Sequence, residues 1–222
     1  MSVRLHEVHP AIVHFPIALL PLALGADLVG RLTGNEGLRN AGRTLMPIAA
    51  ASAALSAATG LIAQEEVQAD GRAHDVLVTH RNINLSMVAL TAAMAVWRSR
   101  RDEPSVGYLA LGLAGLGAVS YSAYLGSKMV YEYGVGVDAA QGIKAGRGAE
   151  LVPGQLGEAA RDVVQDVERG LPHVVDDLRR GEIAPALESG GDWAGRGQVE
   201  GPTGYGVPGV ARPAADDRDD AR

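Results

Sequence analysis

Five of the six histidines in this chain of 222 residues fall in two groups, His6, His9 and His14, then His74 and His80. A neutral imidazole offers one lone pair to a metal and one N–H to an orienting acceptor, which makes histidine a common ligand of haem iron and of transition metals. His14 is the third residue after Ala11, where one long apolar segment starts, and His80 the third after Leu77, where another starts. At ~1.5 Å of rise per residue the two rings are expected at similar depth. Two imidazoles at matched depth on non-adjacent helices suit a bis-histidine haem, each approaching the iron from its own face. Walls rich in Ala and Gly leave room for the macrocycle. His14 and His80 are therefore the expected cofactor-binding pair, with haem b as occupant.

A divalent metal such as zinc or copper is the alternative, held at the outer surface by the histidine set, His9 and His74 included, with Glu7 and Asp75 nearby. Asn84, one turn beyond His80, is placed to orient that ring. A plainer reading stands beside both. His14 could bond a carbonyl freed by Pro10 or Pro16, while His6, His9 and His74 sit at the surface. His173 has no partner apparent in the sequence. There is no P-loop, G-x-S-x-G or H-E-x-x-H motif, and no cysteine for a disulfide, an iron–sulfur ligand or a covalent haem attachment. No nucleophile or general base is evident, so an enzyme is not the expectation.

The segments that must position these histidines are apolar and long. Thr44 to Ala63 and Ser105 to Ser127 carry no formal charge. Each is long enough to cross a hydrocarbon core of ~30 Å. Ala11 to Leu32 is interrupted only by Asp27 and, four residues on, Arg31, at the spacing of an intrahelical ion pair. Leu77 to Trp97 is uncharged after Arg81. A buried bundle in a soluble protein is the competing reading, but four such segments in residues 1–137, which hold ten basic and ten acidic residues, argue against it. The expected fold is all-α, a four-helix transmembrane bundle over residues 1–137. Its spans lie at about 11–32, 44–63, 77–97 and 105–127.

Arg31, Arg39 and Arg43 fall between the first two spans, and Arg98, Arg100 and Arg101 between the last two. The positive-inside rule puts both loops in the cytoplasm and both termini outside. The N-terminus lacks a signal-peptide cleavage pattern, so the first segment is expected to be retained. Small residues recur every fourth position, Ser52, Ser56 and Gly60 in the second span and Ala110 through Gly126 in the last. Such stripes close a bundle and serve a homodimer equally well.

Residues 138–222 hold ten basic and sixteen acidic residues and are rich in Gly and Pro. This acidic tail argues against nucleic acid as a partner. Leu156, Ala160, Val163, Val164, Val167 and Leu171 share one helical face, and a second short helix is expected near Val174 to Arg180. From Ser189 onward the composition reads as disordered.

The string His9-Pro-Ala-Ile-Val-His14-Phe-Pro16-Ile-Ala-Leu, with His80, Tyr124-x-Gly126, Val130-Tyr131 and Gly134-Val-Gly136, resembles the bacterial membrane-protein family labelled domain of unknown function 2231. The resemblance covers about Val8 to Val137. It implies a four-span bundle in the bacterial cytoplasmic membrane and carries over His9, His14 and His80. Some members of that family are joined to Rieske or cytochrome c modules, which implies electron transfer. This tail, without cysteine, holds neither cofactor, so electrons would pass through a haem in the bundle or an extracytoplasmic redox partner. A non-catalytic scaffold in the lipid bilayer, with the tail engaging a partner protein, is the other reading.

Overall fold

Three helical stretches in the computed structural model are long and apolar enough to cross a membrane, Glu7–Thr33, Glu36–Glu66 and Val106–Tyr131. The structure describes residues 3–144, 150–151 and 156–188. The first stretch comprises α1 (Leu5–Ile12) and α2 (His14–Thr33), joined through a turn at Val13; the others are α3 (Glu36–Glu66) and α5 (Val106–Tyr131). Between them runs α4 (Arg72–Ser99), 28 residues long. Four spans are expected from the sequence; α4 has the length, but Arg72, Asp75 and Arg81 in its first half keep it below the apolarity of the others.

Local chemistry ends each helix where it must turn. Gly34 closes α2 in the left-handed region at φ 69°, and the Asn35 side chain caps α3 by accepting the Leu38 amide at 3.1 Å. Ser105 caps α5 in the same way at 3.2 Å. The result is two helical hairpins, α2 with α3 and α4 with α5. They bury equivalent positions. Leu20, Ala23, Leu24 and Asp27 are buried in α2, and Thr91, Met94, Ala95 and Arg98, each 71 residues on, are buried in α4. Gly42, Met46 and Ala49 of α3 likewise match Tyr108, Gly112 and Gly115 of α5, each 66 residues on.

The ion pair expected between Asp27 and Arg31 does not form. Asp27 turns into the core, 0 % exposed, and is met by Arg98 from α4 at 2.9 Å. Arg31 stays exposed and donates to the Pro104 carbonyl at 2.7 Å. Burial decides this. A carboxylate removed from water needs a partner that reaches it inside, which Arg98 supplies, whereas Arg31 lies one turn nearer the end of α2 at Thr33 and is exposed.

Beyond α5 the chain turns sharply at Gly134 (φ 66°) and Gly136 (φ 76°), in a left-handed conformation that favours glycine. Val3–Arg4 (β1) pairs antiparallel with Glu150–Leu151 (β2). The tail then forms one helix, α6 (Leu156–Arg179), where the sequence suggests two, and a last turn, α7 (Pro185–Glu188). Pro172 sits inside α6 without ending it. Pro172 and Glu168, whose carbonyl loses its amide partner, are both on an exposed face, so solvent can satisfy that carbonyl. The stretch expected to be disordered from Ser189 lies outside the described residues.

Candidate functional site

His9 and His14 stand five residues apart, about 140° around a helix, so they cannot face the same neighbour. His9 takes the inward position. Its Nδ1 lies 3.1 Å from the Ser56 carbonyl oxygen and 3.2 Å from the Thr59 hydroxyl of α3. Its Cε1 rests on Gly60, where a Cβ would come within 3.0 Å. His14 is exposed at the start of α2.

His80 is built into the other hairpin by the same means. Its Nδ1 lies 2.8 Å from the Ser122 carbonyl of α5, and its Cε1 rests on Gly126, where a Cβ would come within 3.2 Å. In both cases the acceptor is the serine four residues before the glycine. A carbonyl can only accept, so both rings carry the proton on Nδ1 and turn the Nε2 lone pair away from it. On His80 that lone pair accepts from the Asn84 amide at 3.0 Å, the partner expected one turn away. The two imidazoles are close enough for charge on one to act on the other.

Five helical turns away is the second polar centre. Asp27 lies eighteen residues after His9 and Arg98 eighteen after His80, and on α4 this puts His80 and Arg98 on one helix face. On α3, Gly42 seats Asp27 as Gly60 seats His9; a Cβ on Gly42 would be 2.4 Å from the Asp27 Cγ. On α5 the matching residue is Tyr108, buried beside Asp27 and edge-on to Trp97 at 6.1 Å. Arg98 also donates to the Arg39 and Arg101 carbonyls at 2.7 and 2.6 Å, closing the arginine-rich end.

The polar half of α4 is covered by the tail. Arg81 is buried and donates to Asp177 of α6 at 2.7 Å and to Gln64 at 3.0 Å. The Asn82 amide reaches the Glu182 and Ile183 carbonyls, and Thr79 accepts the Ala186 amide at 3.0 Å. His173, for which the sequence suggests no partner, bonds Glu65 at 2.9 Å.

Of the histidines expected to act, His80 and His9 are therefore brought together, and His14 is not. His74 is exposed and lines an open cleft of about 350 Å³ with Glu65, Asp70, Arg81, His173 and Asp177. Nothing is described of the His6 side chain. Among the described residues no set of three His, Cys, Asp or Glu is disposed to hold a metal ion. Sequence reasoning missed Arg98 as the partner of Asp27. The signal was available, because the spacing from His9 to Asp27 equals that from His80 to Arg98.

What the pair offers chemically is two nitrogen donors of fixed tautomer, each held through Nδ1 by a carbonyl and seated on a glycine of the neighbouring helix. That suits a ligand that needs axial nitrogens and carries its own charge balance.

No curated protein and no solved structure matches the chain. A family model does, over residues 5–139, the stretch that holds both hairpins and both polar centres. The chain thus belongs to the family described as predicted membrane protein, domain of unknown function 2231.

Proposed function

We propose that the chain is a four-span protein of the bacterial cytoplasmic membrane whose His9–His80 pair holds a haem b near the extracytoplasmic face and passes electrons to a partner on that side. The matched setting of the two rings carries this reading. Each Nδ1–H is held by a carbonyl of the adjacent helix, the arrangement that orients a ligating histidine and raises its basicity. Counting α4 as the fourth span is supported by its partners, since Arg81, Asn82 and Thr79 are satisfied by the tail rather than left to lipid. The six arginines near the opposite end support a cytoplasmic placement for it and an outer placement for the histidines.

Charge favours haem over a bare ion. A divalent metal between two neutral imidazoles would bring two uncompensated charges into a low-dielectric interior, whereas the porphyrin dianion neutralises ferrous iron. The donor set fits, on condition that the Asn84 amide turns away from His80 Nε2, a change of side-chain rotamer. When bound, the haem would supply a reversible one-electron couple. The protein's share is to hold both rings by Ser56 and Ser122 and to pack out water with the helices around them.

Redox absorption spectra of His9→Ala, His80→Ala and His14→Ala, with metal analysis of the same samples, test the reading. Loss of the haem bands in the first two variants but not the third supports it. A stoichiometric divalent metal replaces the haem. The absence of any ligand leaves the scaffold with an acidic tail.

A further inference from the structure

The outward surface of α6 divides into two strips that the docking of the helix does not require. One side is taken by the bundle. Asp177 meets Arg81, His173 meets Glu65, and Gly170 lies against the Leu61 backbone, where a Cβ would come within 3.3 Å of its carbonyl oxygen. Adjoining that side is an apolar strip of Val164, Leu171, Val175 and Leu178, all exposed. At 100° per residue these four fall within about 60° of one another. The remaining arc carries Arg161, Gln165, Glu168 and Asp176, also exposed. A helix packed on a soluble protein has two sectors, buried and wet. The three here, protein, apolar and polar in that order around the axis, match a helix at the rim of a membrane protein where protein, lipid and water meet.

Depth agrees. Leu61 belongs to the apolar part of α3 and lies five residues, ~8 Å of helix rise, inside its end at Glu66. An amphipathic helix in the interface sinks its apolar face about 5–10 Å into the headgroup and acyl boundary. The chain after α6 continues at that level, since Ala186 bonds Thr79, the residue before His80, and Ile183 and Leu187 are exposed alongside. The strip thus lies on a helix packed against α3, which is apolar enough to cross the membrane.

We infer that α6 and α7 form a lipid-contacting belt at the histidine end of the bundle, with Val164, Leu171, Val175 and Leu178 facing the acyl boundary of the bilayer and the arc around Asp176 facing water. The tail is thereby part of the membrane domain, and its docking shields Arg81 and Asn82 from lipid.

The chain has no cysteine, so single cysteines label cleanly. Full-length Val175→Cys, Leu178→Cys, Gln165→Cys and Asp176→Cys are spin-labelled and reconstituted in phosphatidylcholine vesicles, and collision with oxygen is compared with collision with a water-soluble nickel chelate. The oxygen-to-nickel ratio is expected to be several-fold higher at 175 and 178 than at 165 and 176. Equal ratios at all four positions overturn the inference, as does exclusion of both reagents at 175 and 178, which marks cover by a second copy or another protein. A check that needs no substitution is photolabelling of the native chain in vesicles with a lipid-soluble diazirine. Modification is expected within residues 164–178, and its absence there, with α5 labelled, contradicts the inference.

Discussion

Arg98 holds Asp27 across the bundle, its Nε 2.9 and 3.0 Å from the two carboxylate oxygens, with both side chains shut off from solvent. The pair joins the first helix of one hairpin to the first helix of the other. Because Asp27 follows His9, and Arg98 follows His80, by eighteen residues, the pair also fixes how the segments that carry the two imidazoles are placed along the bundle.

Breaking that pair on one side leaves a buried charge alone. Asp27→Asn and Arg98→Met are each expected to cost about 3–5 kcal/mol. Arg98→Met should be the worse, since it also strands the Arg39 and Arg101 carbonyls. The double variant Asp27→Asn/Arg98→Met is expected to be more stable than Arg98→Met alone. Thermal unfolding in detergent reads all three, and additive losses would contradict direct pairing.

The glycines under the imidazoles make a sharper test of packing. Gly126→Ala places a Cβ 3.2 Å from the His80 ring and is expected to destabilise by about 1–3 kcal/mol while disturbing the site. Gly117, on the same helix, has nothing within 4 Å of its Cβ position. Gly117→Ala should be neutral or stabilise by about 0.5–1 kcal/mol. If the two variants unfold alike, the ring does not rest on Gly126.

Much of this was legible in the sequence. The apolar segments and the Asn84–His80 bond follow from residue type and short spacing, because local chemistry determines them. Which histidine faces inward does not. Depth alone matched His14 to His80, but helix phase, with the turn at Val13, gives the inner position to His9. The likeness of the two hairpins is hard to see in the sequence because, outside His9/His80, Ser56/Ser122 and Gly60/Gly126, buried equivalent places hold different residues, Asp27 against Arg98 and Gly42 against Tyr108. The tail partners of Arg81 and Asn82 lie about a hundred residues away, beyond any local pattern.

The docking of α6 should tighten in mild acid. Burial, then the charge of Glu66, raises the Asp166 pKa above the ordinary carboxylate value. A raised pKa in the folded state contributes stability that is present below the unfolded value and is lost as pH rises through the folded one. Hydrogen exchange in α6 is therefore expected to quicken as pH rises through the acid range, once corrected for intrinsic rates. Asp166→Asn should abolish the trend and slow exchange at neutral pH. A trend of opposite sign would mean that Asp166 is stabilised as the anion.

Arg81→Met should release the tail. Asp177 and Gln64 lose their shared donor, so limited proteolysis within residues 156–188 is expected to accelerate several-fold while the helices of the bundle resist. Unchanged cleavage would show that the apolar contacts alone hold α6 in place.

The central claim is the histidine pair, and a reduced-minus-oxidised absorption spectrum of the full chain, purified in mild detergent from haem-replete cells, tests it most directly. The account predicts a sharp Soret band with α and β bands, absent in His9→Ala and His80→Ala and retained in His14→Ala. A featureless spectrum, or bands that depend on His14 and not on His9, would contradict it.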